Sequence, residues 1–464
     1  MVAYMNPNAE RLLPKSGDSI HNHMLELFKD EKNSVLQPTI NTSTSRVHIS
    51  FDIYTAKKGT AFLGVEAHWM GRKWSVKHAL LAVRVLSTSH SSETIAKLVS
   101  EILVEYRVEQ RTGLLMSDNE RSNDGVTNLV SRALESSGDV KFGVHDRRLR
   151  DIVHILHLVM KAVLVDIERY SEGEGEAENQ IQVRVGENEV EELTPVEKLR
   201  MVTKYIRDSS VRRAEFQTLF EDGGAVSMVV TDTDTRFGST FKMCSTGLRL
   251  RQPLDQFVIQ HLPEKLRDCA ITERDWVEIQ RVLTMLEPLN REVIRLQGSG
   301  DGDHLTLGAM IPLLDAVTDG LQNHGNHDDN IGSMPLTTSR SKASKYQKLL
   351  KDCPSYIVAT MLDPRYKLKY FYSRSEVEGD HAKSIAYGAF NRHLESEELC
   401  LSFDELERYL SENVITGASG DLVAMSVREF WKARQHNYPT LAMWARDMLA
   451  APCSSANLER LFSR

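Results

Sequence analysis

Alternation of apolar and polar positions is the first regularity along the chain. Between Arg46 and Leu86 three β-branched, alternating runs, "RVHISFDIYT", "TAFLGVEAHWM" and "WSVKHALLAVRVL", predict three consecutive strands paired as a meander. The period then lengthens. In "SSETIAKLVSEILVEYRV", Ile95, Leu98, Val99, Ile102 and Leu103 form one helical stripe, with Ser92 read as its cap. "RTGLLMSDNE" reads as a short buried strand, "DGVTNLVSRALESS" as a helix, and "DRRLRDIVHILHLVMKAVLVDIERY" as a strand running into a helix. That succession predicts an α/β fold with a mixed sheet over residues 46–170.

Residues 1–45 read as a tail with a short helix near "SIHNHMLELFKDEK". A solvated linker is expected at 171–194 and a helical domain at 195–420, with a disordered spacer near 322–344 around "NHGNHDDNIGSMPLTTSRS". Residues 421–464 continue as closing helices. Within the helical part, "LDPRYKLKYF" predicts a turn into a helix with Asp363 as cap and Pro364 at the first helical position. Trp276, Trp431 and Trp444 fall at helical spacing among apolar neighbours and read as core.

Composition leaves this picture intact. The chain has 464 residues, 41% apolar and 26% charged, as in ordinary globular proteins. No apolar run approaches the roughly 20 residues of a membrane-spanning helix, and the first residues lack the pattern of a secretory signal. The five cysteines are odd in number, scattered and never arranged as CxxC, so neither disulfides nor a zinc site is expected, and the setting is read as reducing and intracellular. The net charge of -8 speaks against a nucleic-acid partner until its source is located. Glu172 to Glu192 holds eight glutamates against Arg184 alone, which leaves the remainder near neutral. Arg236, Lys242, Arg249 and Arg251 then form either a phosphate-facing group or a solvated helix face.

Two carboxylates stand where strands end or should be apolar. Asp52 lies between Phe51 and Ile53, and Asp118 follows the apolar approach "GLLMS". Carboxylates on neighbouring strands can converge on Mg2+ or Mn2+, and a third from a distant helix, Glu459 in "SSANLERLFS", would complete a two-ion site. Each also has a plain reading: a turn or cap aspartate, and a glutamate favoured in the first turn of a helix. His154 and His157 share a helix face beyond Asp151, without an evident fourth ligand.

The blocks "ISFDIYTAKKGTAFLGVEAHWM", "LLAVRVLSTSHSSETIAKLVSEIL", "MSDNERSND", "RRLRDIVHILHLVMKAVL", "TRFGSTFKM", "LDPRYKLKYF" and "YPTLAMWARDMLAAPCSSANLERLFS" resemble, in order, the catalytic region of hAT-superfamily DNA transposases, the hobo and Activator group. The resemblance implies an RNase H-like fold interrupted by a large helical insertion. It also implies an Asp/Asp/Glu site of Asp52, Asp118 and Glu459 holding two Mg2+ or Mn2+ ions for DNA strand cleavage and transfer. DNA as partner, self-association and nuclear residence follow from the same likeness. By the same likeness His154, Arg236 and Phe237 face DNA, the last stacking on a flipped base where the family has tryptophan. The sequence departs from the family at Asp151 and His157, where Cys and Asn are usual, and at Phe237-Gly238, where Trp-Asn is usual. With no cysteine before Cys244, the family's amino-terminal zinc finger is expected to be missing, and the end at Arg464 reads as a shortened dimerisation region. A fragmentary or decayed copy is one expectation, and a catalytically inactive DNA-binding, dimerising protein is the alternative to an enzyme.

Overall fold

A computed structural model describes residues 16–56, 59–86, 90–136, 146–171, 193–220, 228–233, 238–297, 306–323, 336–396, 404–415 and 426–462. Helices α1 (Gly17–Glu31) and α2 (Gln37–Asn41) precede β1 (Val47–Thr55), β2 (Ala61–Met70) and β3 (Val76–Leu86). Then follow α3 (Ser92–Glu105), β4 (Thr112–Ser117), α4 (Arg121–Ser136), β5 (Arg148–Arg150) and α5 (Ile152–Ser171). The helical series comprises α6 (Pro195–Arg207), α7 (Ser210–Gln217), α8 (Ser239–Arg249), α9 (Arg251–His261), α10 (Glu273–Gln297), α11 (Met310–Asn323), α12 (Thr337–Lys351) and α13 (Pro354–Leu362). The chain closes with α14 (Lys367–Arg374), α15 (Glu376–Ser396), α16 (Asp404–Ser411), α17 (Val427–Arg434), α18 (Pro439–Ala450) and α19 (Ala456–Phe462). Two compact units result: residues 1–149 with 361–464, and residues 150–360. The acidic stretch 172–192 lies outside the described residues.

In the first unit the three alternating runs form the meander that their period predicts. β1 pairs antiparallel with β2, β2 with β3, and β1 also runs parallel to β4, giving the order β3-β2-β1-β4-β5. One face buries Val47, Ile49 and Phe51 of β1 with Leu63, Val65 and Ala67 of β2, against Ile95, Val99 and Ile102 of α3 and Val126 and Val130 of α4. Each such side chain contributes about 1.5–3 kcal/mol on burial. Ser91, not Ser92, caps α3: its backbone is still extended and its Oγ accepts from Thr94 N–H at 3.3 Å. Ser92 Oγ instead donates to the Ser122 carbonyl at 2.8 Å.

The later part of this unit corrects one boundary. Asp363 does shape a turn, its Oδ1 accepting from Arg365 N–H at 3.0 Å, but the following helix starts at Lys367, three residues beyond Pro364. Lys367 takes a positive φ of 52°, and its buried ammonium donates to the Tyr409 carbonyl in the last turn of α16 and to the Glu412 carbonyl just past its end. Trp431 and Trp444 are buried here, as expected of core residues.

The second unit is helical. α5 packs against α10 and α12, and α12 against α11. Trp276 is buried, with its Nε1–H donating to Asp255 at 2.9 Å. The expected spacer at 322–344 is corrected in part, because 337–344 belong to α12 while 324–335 lie outside the described residues. What holds this polar run in a helix is a carboxylate distant in sequence. Asp166 of α5, buried, accepts from Thr338 N–H (2.9 Å), Ser339 N–H (2.8 Å) and Ser339 Oγ–H (2.7 Å), satisfying the first free donors of α12. Asp166→Ala leaves those donors buried without an acceptor. An expected loss of about 2–3 kcal/mol, read from urea unfolding, and faster amide exchange confined first to 337–341 would check it. Among the described residues, no helix is long and apolar enough to cross a membrane.

Candidate active site

The face of the sheet opposite the α3–α4 core is polar where it is most buried. Paired residues of antiparallel strands point the same way, so the register His48↔His68, Ser50↔Glu66 and Asp52↔Gly64 places all six on this face. In the parallel pair Ser50 stands beside Met116. Asp52 and Asp118 each follow two residues after that pair, Asp52 still within β1 and Asp118 one residue past the end of β4. Both are half-buried. Asp52 Oδ1 accepts from Ile53 N–H at 2.9 Å, and Asp118 Oδ1 accepts from Glu120 N–H at 3.2 Å and from the Asn123 amide. Asp118 thus also serves the turn role that strand-end aspartates commonly have.

The third carboxylate arrives on α19, which packs on β1 and β2. Gly64 makes room for it. A Cβ there would lie 2.8 Å from the Phe462 ring and 3.2 Å from Leu458 Cδ2, and Phe462 stacks on Tyr54 with centroids 5.2 Å apart and planes 8° from parallel. Since Gly64 shares its face with Asp52, the helix bearing Glu459 covers the same face. Glu459 is half-buried in the first turn of α19, where the backbone dipole also favours it. Gly64→Leu is expected to displace α19, costing about 1–3 kcal/mol and speeding amide exchange across 456–462 while α3 stays protected. Equal protection in both proteins would contradict this packing.

Among the described residues no three His, Cys, Asp or Glu side chains stand at a spacing that would hold a metal ion. The backbone brings Asp52 and α19 to one face without closing Asp52, Asp118 and Glu459 into a cage. Like charges drawn to about 4 Å repel unless a cation lies between them.

Beside this trio lies a cluster that the sequence reading did not single out. Ser50 Oγ is 2.8 Å from His68 Nε2, Glu66 Oε2 is 3.5 Å from the same nitrogen, and Glu66 Oε1 is 2.6 Å from His78 Nδ1. His48 Nδ1 accepts from Leu114 N–H at 3.0 Å, in the space that Gly113 leaves by lacking a Cβ, which would sit 2.7 Å from that ring. Burial, above all, pushes the imidazoles of His48 and His68 down to about 3 and about 4. Burial is the largest single influence on the Glu66 carboxyl and would raise it, but the His78 hydrogen bond and the neighbouring histidines together outweigh it and hold the carboxyl below its usual range. The same bond raises His78. The legible signal was a polar residue at every second position, His48-Ser50-Asp52 and Glu66-His68, inside strands otherwise buried.

Comparison with known proteins points to one family. Residues 50–143 match the ZBED1 RNase-like domain, and residues 405–464 match the hAT family C-terminal dimerisation region. The chain is 23% identical to "Putative transcriptional regulator tpeD" of Talaromyces stipitatus, over 96% of this chain and 53% of that protein. It is 19% identical to "Zinc finger BED domain-containing protein RICESLEEPER 3" of Oryza sativa subsp. japonica (94% of this chain, 59% of that protein). It is also 19% identical to "Putative AC transposase" of Zea mays (97% and 57%). These matches support a hAT-superfamily transposase relationship.

The chain spans between half and two-thirds of the length of those relatives. Both matched regions fall in the first structural unit, which holds Asp52, Asp118 and Glu459. Of the residues expected to face DNA, Arg236 and Phe237 lie outside the described residues. His154 is described in the second unit, where Asp151 caps α5 by accepting from His154 N–H at 3.0 Å. That capping role explains what a carboxylate does at the position where cysteine is usual in hAT proteins. Arg251 is engaged inside its own unit, pairing with Glu273 and, at 3.5 Å, with Asp255.

Proposed function

We propose that this chain is the catalytic region of a hAT transposase-type enzyme that cuts and joins DNA strands with divalent metal, on an RNase H-like sheet. The observation that carries the reading is the strand register. It pairs Ser50 with Met116, two residues before Asp52 and Asp118, and the helix with Glu459 packs at Gly64 on the face that carries Asp52, which supports the three carboxylates meeting there. Three hard oxygen donors on one face are the donor set that Mg2+ or Mn2+ takes. Asp52, Asp118 and Glu459 would hold two such ions. When bound, they supply a nucleophilic oxygen and stabilise the leaving oxygen of an in-line phosphoryl displacement.

The chain's own residues have separate parts in this reading. Asp52 and Asp118 provide fixed negative charge from the rigid sheet, and Glu459 provides a third from an element able to adjust. Asn123 and the Glu120 backbone hold Asp118 by one oxygen, so that oxygen is oriented and the carboxylate turned about it. Arg236, Phe237 and His154 are assigned to flanking DNA, with the aromatic ring stacking on an unpaired base. Self-association through the dimerisation region and residence in the nucleus belong to the same proposal.

A non-catalytic, DNA-binding and dimerising protein is the second reading. It is favoured by the engagement of Asp118 in its turn and by the relative named as a transcriptional regulator. Purified protein incubated with supercoiled plasmid and Mn2+ separates the two. Nicking that disappears in Asp118→Asn and Glu459→Gln supports the enzyme. DNA retention on a filter without nicking, unchanged by either substitution, supports the binder.

A further inference from the structure

Helix α12 carries charge of one sign only: Arg340, Lys342, Lys345, Lys348 and Lys351, with no acid between Thr337 and Lys351. Two of these cations are engaged inside the second unit. Arg340 donates to the Leu321 and Gln322 carbonyls at the end of α11, at 2.9 and 3.2 Å, and Lys351 pairs with buried Asp315 at 3.2 Å. The other three face outward. Ser341, Ser344, Lys345 and Lys348 are exposed and Lys342 is half-buried, while Ser339, Ala343, Tyr346 and Leu350 form the buried side. Each step of three residues turns back by about 60°, so the three lysines share an arc of about 120° over about 9 Å of helix axis. Arg169 of α5 donates to Thr338 Oγ1 at 3.4 Å, which sets a fourth cation one turn before Lys342.

A solvated helix face normally mixes its charges. On α10, Arg281 and Arg295 each pair with the glutamate three residues earlier, at 3.0 and 2.7 Å. On α12 no acid stands three or four residues from Lys342 or Lys345, and Asp352, four beyond Lys348, meets it through a backbone hydrogen bond. Lysines three apart repel instead. That repulsion is kept in a chain of net charge -8, and an anion lying along the face relieves it.

We propose that this face of α12 binds the phosphate backbone of duplex DNA without reading its sequence. The three ammonium groups follow one line of phosphates, and the Ser341 and Ser344 hydroxyls between them can donate to phosphate oxygens. A lipid surface fits less well, because a helix lying there inserts an apolar side, and that of α12 is already buried in its own unit. DNA is the partner in the function proposed above as well, but this contact needs neither metal nor strand cutting.

The test uses the full chain in EDTA, with a fluorescent duplex of about 20 base pairs titrated at several salt concentrations. Lys342→Gln, Lys345→Gln and Lys348→Gln are made together. A control with Lys97→Gln, Lys204→Gln and Lys432→Gln, all exposed and on other helices, changes net charge equally. Each phosphate contact adds about 0.9 to the slope of log affinity against log salt, so the α12 variant is expected to lose about 2.7 of that slope. It should also bind about tenfold or more weakly near 100 mM salt, alike for two unrelated sequences. The control is expected to keep the parent slope, and all urea midpoints should stay near the parent's, since glutamine is as good a helix former as lysine. Lys345→Gln alone, the mildest change, should remove about 0.9 and decides the matter if the triple variant misfolds. Four results would overturn the assignment: an α12 variant with the parent slope, an equal loss in the control, a parent that does not bind the duplex, or phosphatidylserine vesicles that lose the variant while duplex affinity is unchanged. If the parent binds as proposed but never nicks with Mn2+, the metal-site reading fails and this one stands.

Discussion

Asp52→Asn is expected to abolish metal-dependent nicking while leaving the fold intact. Asparagine keeps the shape and retains an oxygen that can accept from Ile53 N–H, the hydrogen bond that Asp52 Oδ1 makes. What it loses is charge. A neutral amide is a poor ligand for a hard divalent cation, and the charge stabilisation that metal supplies in phosphoryl transfer is worth several kcal/mol. Losing about 4 kcal/mol slows the reaction roughly a thousandfold. Because Asp52 is half-buried and the substitution keeps its size, the unfolding free energy should move by less than about 1 kcal/mol. Plasmid nicking with Mn2+, run beside a urea melt of the same preparation, checks both halves. Undiminished nicking would remove Asp52 from the site.

The second large effect is sensitivity to acid. His48 and His68 are both buried, with pKa values pushed down to about 3 and about 4 against an ordinary 6.5, so the folded state requires both rings neutral. Below 6.5 the unfolded chain binds more protons than the folded one. The stability they contribute is therefore fully present above about pH 6.5 and is lost as pH falls toward 4 and 3. At 1.36 kcal/mol per unit, the two rings together take on the order of 5 kcal/mol from the first unit between pH 6.5 and 4. That is comparable to the whole stability of many domains. His78 works oppositely. Its raised pKa gives stability that is complete below 6.5 and fades as pH rises through the folded value, and being half-exposed it weighs less. Glu66, held below its usual range, adds stability above about 4.5 that also fades in acid. Urea midpoints by tryptophan fluorescence from pH 8 to 4 should fall steeply below 6.5. In the double variant His48→Gln, His68→Gln, where the amides can still accept from Leu114 N–H and Ser50 Oγ–H, the slope should flatten. An equally steep curve would assign acid sensitivity elsewhere.

The strands, their mixed pairing and the helices α3 to α5 were legible because period and turn chemistry are local properties. So was the oddity of Asp52, since a charge inside an alternating strand conflicts with its neighbours. The rest depended on contacts between residues far apart in sequence. The α12 helix reads as polar spacer until Asp166 supplies its cap, 172 residues before Thr338. The polar face of β1 and β2 reads as solvent-facing until α19 covers Gly64. His48, Ser50, Glu66 and His68 therefore carry no mark in the sequence beyond their alternation, and their burial turns ordinary polar residues into a coupled cluster. Placing Glu459 with Asp52 and Asp118 came from resemblance rather than from periodicity. The register supports the pairing of the two aspartates, and the packing of α19 supports the side from which the glutamate approaches.

Crystals of the protein soaked in Mn2+ and measured at the manganese absorption edge test the central claim most directly. The account predicts anomalous density bounded by carboxylate oxygens of Asp52, Asp118 and Glu459 together, lost in crystals of Asp52→Asn. Manganese bound elsewhere, with Glu459 turned away from the two aspartates, would contradict it.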